Sequence, residues 1–427
     1  MQRPPVLITA GGMNSRFFPL NHSSHKGGIR LHGATLLERT LRNLKKNDFQ
    51  EVVIIISPRD QESEVIKHIV ESCNQELQLD VKYAVQPEAL GLGDALLHGL
   101  SQLNNQRPGQ LAVLSPYHVT AGDLLSKMQS MGEMVLCTST TSTPSHYGIA
   151  SFTQDGKMNG VVEKPVKGTA PSNEKVVSLY LLSAHFIEAI KKTPTEEYAF
   201  EATLDLCLKD EPVTTLHLEK PLATLKYAWD LFEFQTQFFQ TLTSYRDETA
   251  LIATTAVIDE SHGAVQIETG AQIGHCARVV GPTYIGKNAL VGDFSLIRQS
   301  SLEEGVVIGA HSEISRSIFL QKSNIHRGYV GDSIIGAETT LAAGFITANK
   351  RFDRESIQVE IKGKRVDSER RGFGAVIGEK TKVGTNVSTM PGKLIGSGCT
   401  IFPSQTIEHN IADQTTFPSN EETESSN

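Results

Sequence analysis

Gly11-Gly12, with Arg16 four residues on, is the first stretch with residue types suited to chemistry. A glycine pair after a short apolar run lets backbone N–H groups approach a phosphate, and a guanidinium nearby can neutralise it. Lys26 follows ten residues later; taken alone it reads as a solvated surface charge. At the other end of the chain His326 precedes Tyr329 by three residues. An imidazole with an ordinary pKa can take a proton near neutral pH, although a histidine at this kind of position is more often a loop or corner residue. The five cysteines, Cys73, Cys137, Cys207, Cys276 and Cys399, include no close pair. They read as buried or free thiols in a reducing compartment, not as a disulfide frame or a zinc site.

Two kinds of element must position these residues. Over residues 1–230 strands and helices alternate. Apolar runs at 6–10, 52–57, 81–85 and 111–115 are separated by helical spacing at 36–46, 62–73 and 93–103. This alternation predicts a parallel α/β sheet, whose ligands sit at the carboxyl ends of the strands. From Val265 to Ile407 small aliphatic residues recur every sixth position, as in Ile267, Ile273, Val279, Ile285, Val291 and Ile297. The phase slips after Ile297 and returns at Ile308 and Ile314, at Ile335 and Leu341, and from Ile377 to Ile407. A short fixed period is the mark of a solenoid, each hexad one short strand over a shared aliphatic column. Gly follows many of these residues, for example at Gly274, Gly286, Gly309, Gly336, Gly378 and Gly396. Glycine is expected there to allow corner angles closed to other residues.

The expected domains are therefore 1–230 (α/β), a helical connector at 231–262 with an apolar face of Phe232, Phe234, Phe238 and Phe239, and a solenoid at 263–412. A polar, cation-rich loop interrupts the solenoid at 349–373, and the acidic tail 413–427 is expected to be disordered. With 427 residues, 39% hydrophobic, 21% charged and a net charge of −8, nothing favours nucleic acid. The chain lacks an apolar run of membrane-spanning length and a signal-peptide core at its start, so a cytoplasmic location is expected.

The hexads resemble the left-handed parallel β-helix of hexapeptide-repeat acyltransferases. Residues 7–20, LITAGGMNSRFFPL, resemble the GGxGTRxxPL opening of sugar-1-phosphate nucleotidyltransferases, with Asn14 and Ser15 in place of Gly and Thr. Asn tolerates the left-handed turn better than most residues. Lys26 lies at a phosphate-binding lysine of that family. Residues 85–95, with Gln86 and Gly91, resemble the segment that reads the nucleobase. Gly148 with Glu163 and Lys164 resembles the sugar-binding segment. The fold implied is a Rossmann-like α/β domain followed by a left-handed β-helix. His326-x-x-Tyr329-Val330-Gly331-Asp332 and residues 342–349, AAGFITAN, resemble the H-x-x-Y-[LV]-G-D and GAGTITxN segments of glucosamine-1-phosphate acetyltransferases.

The whole is similar to two-domain proteins that make UDP-N-acetylglucosamine. The resemblance implies His326 as general base, with Arg298, Tyr329 and Asn349 holding an amino-sugar phosphate. It also implies acetyl-CoA as co-substrate, sugar phosphate and nucleotide sugar as small-molecule partners, and a homotrimer. The sequence departs from the pattern at the magnesium ligands: Tyr117 and Thr224 stand where the family has aspartates, and Asp123 and Asp230 match structural positions. No metal ligand is assigned, and magnesium binding is expected to be weak or absent. Ser315 or Arg316, and Glu355 and Gln358, replace family lysines, and Phe402-Pro403 replaces small residues near the acyl donor. Three readings remain: an acyltransferase with a weakened nucleotidyltransferase domain, an active nucleotidyltransferase, and a non-catalytic nucleotide-sugar sensor.

Overall fold

The computed structural model describes residues 2–12, 14–22, 25–58 and 60–418. It divides into two compact units, residues 1–13 with 35–224 and residues 14–34 with 225–427.

The first unit is built on one mixed sheet. Its order is Thr215–His217, Val135–Thr140, Glu174–Ser183, Gln110–Leu114, Val6–Thr9, Glu51–Ile56 and Asp80–Val85, with the hairpin Gly148–Phe152 and Met158–Glu163 attached beside Glu174–Ser183. Val6–Thr9 lies between two parallel neighbours, Ile8 facing Ile54 on one side and Leu114 on the other. These strands are continuous aliphatic runs because helices cover both faces. One face buries Ile8, Ile54 and Leu114 against Leu37, Leu41 and Leu44 of the helix Leu36–Lys46. The other buries Leu7, Val53 and Val113 against Leu96, Phe186 and Phe200. The Thr35 hydroxyl caps the first helix by accepting from the Glu38 N–H at 3.1 Å.

The second unit is the left-handed parallel β-helix, three parallel sheets of eight, nine and eight strands. Val279 faces Ile297 and Ile297 faces Ile314, so one coil is eighteen residues long and the next seventeen. That shorter coil is the phase slip seen in the sequence. Inward residues stack into one fully buried column, including Ile267, Ile285, Leu302, Phe319, Ile335, Ile377 and Ile395.

Three expected boundaries need correction. The connector is helical only over Leu231–Thr241. Strands begin at Tyr245–Arg246, and a complete first coil precedes residue 263 because Ile252 and Ile258 already pack on the column. At the far end Thr416–Phe417 pairs in parallel with Thr400–Ile401, beyond the expected limit at 412; residues 419–427 of the tail lie outside the described residues.

The interrupting loop contains an antiparallel hairpin, Gln358–Ile361 with Lys364–Asp367, and buries Ile357, Val359 and Phe373. Residues 14–34 belong to the β-helix unit. The Glu303 carboxylate accepts from the His32 and Gly33 N–H groups at 2.6 and 3.0 Å, and Ser397 donates to the Pro19 carbonyl at 3.1 Å.

The hexad glycines act differently from expectation. None of Gly274, Gly286, Gly309, Gly336, Gly378 and Gly396 has a positive φ; the corners are turned instead by residues such as Asn288, His311, Lys322 and Glu338 at φ 54–57°. A Cβ on Gly309 would lie 2.0 Å from the His326 carbonyl oxygen, and one on Gly378 would lie 2.5 Å from the Ser397 nitrogen. These glycines are there for the close approach of the next coil.

Candidate functional site

In the first unit the glycine turn follows the carboxyl end of Val6–Thr9, with the Ala10 N–H bonded to the Ile55 carbonyl at 2.8 Å. A Cβ on Gly11 would sit 3.4 Å from Gln86 Oε1, so Gly11 and Gln86 are brought together. The Gln86 amide donates to the Gly91 carbonyl at 3.0 Å and to Asp94 at 2.9 Å, which fixes the turn ahead of the helix Gly91–Leu100. Gly91 is at φ 88°, and a Cβ there would lie 2.1 Å from the Glu197 carbonyl oxygen. Gly148 and Glu163 face each other across the hairpin, and Lys164 Nζ pairs with Glu163 at 3.2 Å. Glu201 lies in the field of these two residues and of Glu197. Burial pushes its carboxyl up, and one of its oxygens is buried without a hydrogen bond. Sequence reasoning missed Glu201; an acid among the apolar residues of the helix Ala199–Asp210 was the available signal.

The acids near the expected magnesium positions are engaged elsewhere. Tyr117 is 7% exposed. Asp123 accepts from Asn43 at 2.7 Å and Asn47 at 3.0 Å, and the Asn43 bond leads in holding its carboxyl below the usual range. Among the described residues no group of three His, Cys, Asp or Glu could hold a metal ion.

In the second unit Arg16 is exposed, and Lys26 donates to the Leu225 carbonyl at 2.9 Å. Asn14 has a φ of 48°, the left-handed turn that its side chain tolerates. Asp230 accepts from the Lys226 and Tyr227 N–H groups, each at 2.7 Å; burial still pushes its carboxyl up to about 6.

The β-helix joins two of its four expected site residues. Asn349 Nδ2 donates to the Tyr329 hydroxyl at 3.2 Å and also to the Asp332 carboxylate. Arg316 grips both oxygens of Asp332, Nε at 2.7 Å and Nη2 at 2.8 Å. The Asp332 bond is the main cause of the rise in the Arg316 pKa, with Tyr329 a smaller one. Arg316 and Asp332 turn successive corners at φ 51° and 49°. Tyr329 lies across Gly331, where a Cβ would meet its hydroxyl at 2.3 Å.

Arg298 is drawn instead to Glu313 on the next coil, and its Nε is buried without a partner. His326 is exposed at the turn before the strand Gly328–Gly331, its N–H bonded to the Leu341 carbonyl at 2.8 Å. Among the described residues its ring has no partner. Glu313 was missed; it lies on the outward row of its strand, diagonal to Arg298, and coil length is what makes it a neighbour.

The sequence pattern of the family described as nucleotidyl transferase matches residues 5–220. The chain belongs to the nucleotidyl transferase family. Its relatives extend through the β-helix as well. A "Bifunctional sugar-1-phosphate nucleotidylyltransferase/acetyltransferase" of Sulfurisphaera tokodaii is 26% identical over 416 residues, covering 95% of this chain and 98% of that protein. A "Bifunctional protein GlmU" of Methanococcus vannielii is 27% identical over 418 residues, 95% of each chain. Among solved structures, a UDP-glucose pyrophosphorylase complexed with UDP-glucose aligns with a TM-score of 0.48 and 16% identity, over 56% of this chain and all of that one. No helix among the described residues of this nucleotidyl transferase family member is long and apolar enough to cross a membrane.

Proposed function

We propose that the β-helix transfers the acetyl group of acetyl-CoA to the amine of an amino-sugar phosphate, and that the nucleotidyl transferase unit binds a nucleotide sugar with little or no magnesium-dependent turnover. The observation that carries the first half is the joined set Tyr329, Asn349, Asp332 and Arg316, one turn from an exposed imidazole. Bifunctional relatives over nearly the whole chain support it.

The amine nitrogen attacks the thioester carbonyl carbon, the C–S bond breaks, and His326 takes the proton the nitrogen loses and passes it to the departing thiolate. Tyr329 and Asn349 orient the sugar toward its phosphate side, where Arg316 is committed to Asp332 and through it holds Asn349. Arg298 can join that side only when Glu313 releases it. The exposed His326, with exposed Ile346, Met390 and Phe402 on the following coils, favours a second copy of the chain completing the site, as in the homotrimer that the resemblance implies.

The second half rests on ligand chemistry. Magnesium selects carboxylate oxygens, whereas Tyr117 is a buried phenol, Thr224 a neutral hydroxyl, Asp123 is held by two asparagines and Asp230 by two backbone N–H groups. The residues present do not fit the ion.

The deciding assay measures CoA release from acetyl-CoA with glucosamine-1-phosphate, for the wild type and His326→Ala. Loss of a general base should cost on the order of 10²–10⁴ in rate. Equal release by the two proteins refutes His326 as base. Magnesium-dependent pyrophosphate release at the rate of an intact bifunctional relative refutes the second half.

A further inference from the structure

Beside Arg316 and Asp332 of the acceptor site lies a cleft of the β-helix unit whose other lining residues have none of these roles. It has two chambers that share Arg316 and Arg370. The first, about 510 Å³, is lined by Arg316, Lys350, Arg354, Arg370 and Arg371 with Asp332 and Glu369. Arg316 already neutralises Asp332, so Glu369 is the one further acid in the lining beside Lys350, Arg354, Arg370 and Arg371, while Asp230 and Glu233 also act on Arg370. The Arg370 guanidinium lies 4.4 Å from the centre of the Phe232 ring, and its Nε is buried with no hydrogen bond. Such a donor is costly unless something accepts from its neighbourhood.

The second chamber, about 340 Å³, is different in kind. Phe232 and Phe239 are its aromatic lining, with Gln235, Gln240 and Gln299 beside them. The Gln235 NH₂ is committed to Ser301 at 3.0 Å and to the Ser317 carbonyl at 3.1 Å, which leaves its oxygen as an acceptor. An excess of guanidinium groups suits a multiply charged phosphate. Aromatic walls edged by carboxamides suit a planar heteroaromatic ring.

We propose that this cleft binds a nucleoside 5′-diphosphate, its phosphates on Arg370, Arg371, Arg354 and Lys350 and its base against Phe239. A sugar phosphate would use the first chamber and leave the second empty; a nucleotide fills both. The site does not depend on the acetyl-transfer reading. Arg316 nevertheless carries its occupancy to Asp332, and so to Asn349 and Tyr329.

The test is calorimetric titration of the full-length protein with UDP, ADP and GDP, with inorganic phosphate, glucosamine-1-phosphate and CoA as separate arms. Trp229, the chain's single tryptophan, offers a second readout. Its ring centre is 5.7 Å from that of Phe373, which lies 6.3 Å from Phe232. At least one nucleoside diphosphate should bind, shift Trp229 emission, and lose tenfold or more in affinity in both Arg371→Glu and Phe239→Ala. Arg371 is exposed and Phe239 only half-buried, so matching circular dichroism spectra should show both variants folded.

Four results would each overturn the proposal. They are no binding by any of the three nucleotides, nucleotide affinity unchanged in the two variants, phosphate alone binding as tightly, or glucosamine-1-phosphate or CoA losing as much affinity as the nucleotides in both variants.

Discussion

Gly331→Ala isolates the contact on which the acceptor site is built. Gly331 has no positive φ, so alanine fits its backbone, and only the new methyl group matters. That methyl would stand 2.3 Å from the Tyr329 hydroxyl, 2.7 Å from its Cζ and 2.8 Å from Asn349 Nδ2. All three atoms end flexible side chains, so the coil should hold while the ring swings off Gly331. The swing breaks the Asn349–Tyr329 bond, about 0.5–1.5 kcal/mol, and forces a strained χ angle, about 0.5–1.5 kcal/mol more. The expected loss is thus about 1–3 kcal/mol, measured by urea unfolding against Gly109→Ala, whose methyl would meet nothing within 4 Å. The KM for the amino-sugar phosphate should rise about tenfold, which corresponds to about 1.4 kcal/mol of lost binding. In a Tyr329→Ala background the same alanine should cost much less. Gly331→Ala with wild-type stability and KM, or an equal cost with Tyr329 removed, would refute the assignment of Tyr329 and Gly331 as partners.

Glu313→Gln should release Arg298 toward the phosphate side and lower the acceptor KM severalfold; an unchanged KM removes Arg298 from binding. Both side chains of that pair are well exposed, so stability should move by less than about 1 kcal/mol. Asp230 titrates higher in the folded chain, near 6, than its ordinary 3.8, so the folded state holds its proton more tightly. Its contribution is therefore fully present below pH 4 and is lost as pH rises through 6, at most about 3 kcal/mol at 1.4 kcal/mol per pH unit. Asp230→Asn should flatten that slope in unfolding measured between pH 4 and 7; a slope equal to wild type refutes it. Burial pushes the Cys73 and Cys137 thiols up to about 11 and about 12, and Cys207 and Cys399 are buried too, whereas Cys276 is exposed. One thiol per native chain should react quickly with a disulfide reagent at pH 8, and Cys276→Ser should abolish that phase.

The aliphatic column was legible because it repeats: a hexad position that points inward once points inward in every coil. The first coil escaped because it caps the stack. Its Leu251 and Val257 are exposed, and Ala250, Ile252, Ala256 and Ile258 are only partly buried against the column. The hexad glycines were found for the wrong reason. Sequence shows that a position tolerates no side chain; whether the obstacle is φ or the next coil's backbone depends on a neighbour seventeen to forty-two residues away. The placement of residues 14–34 was invisible for a similar reason. It depends on Glu303 meeting the backbone of His32 and Gly33, and no local pattern relates those positions.

The same geometry explains why the candidate site was only half readable. Tyr329 and Asn349 came from a motif, but the network that holds them takes Arg316, Asp332 and Asn349 from successive coils. Parallel strands lie about 4.8 Å apart, so equivalent corners on neighbouring coils bring side chains within hydrogen-bond reach whatever their separation in the chain. Ser315 faces Gly331 across such a step, which puts the next residues, Arg316 and Asp332, corner above corner. Corner stacking is therefore what builds the site. The coils here shorten from eighteen residues to seventeen and then to sixteen between Val279 and Val330, and that stretch delivers Arg298, Arg316 and Tyr329. Departures from the regular period thus mark where the solenoid stops being only a scaffold.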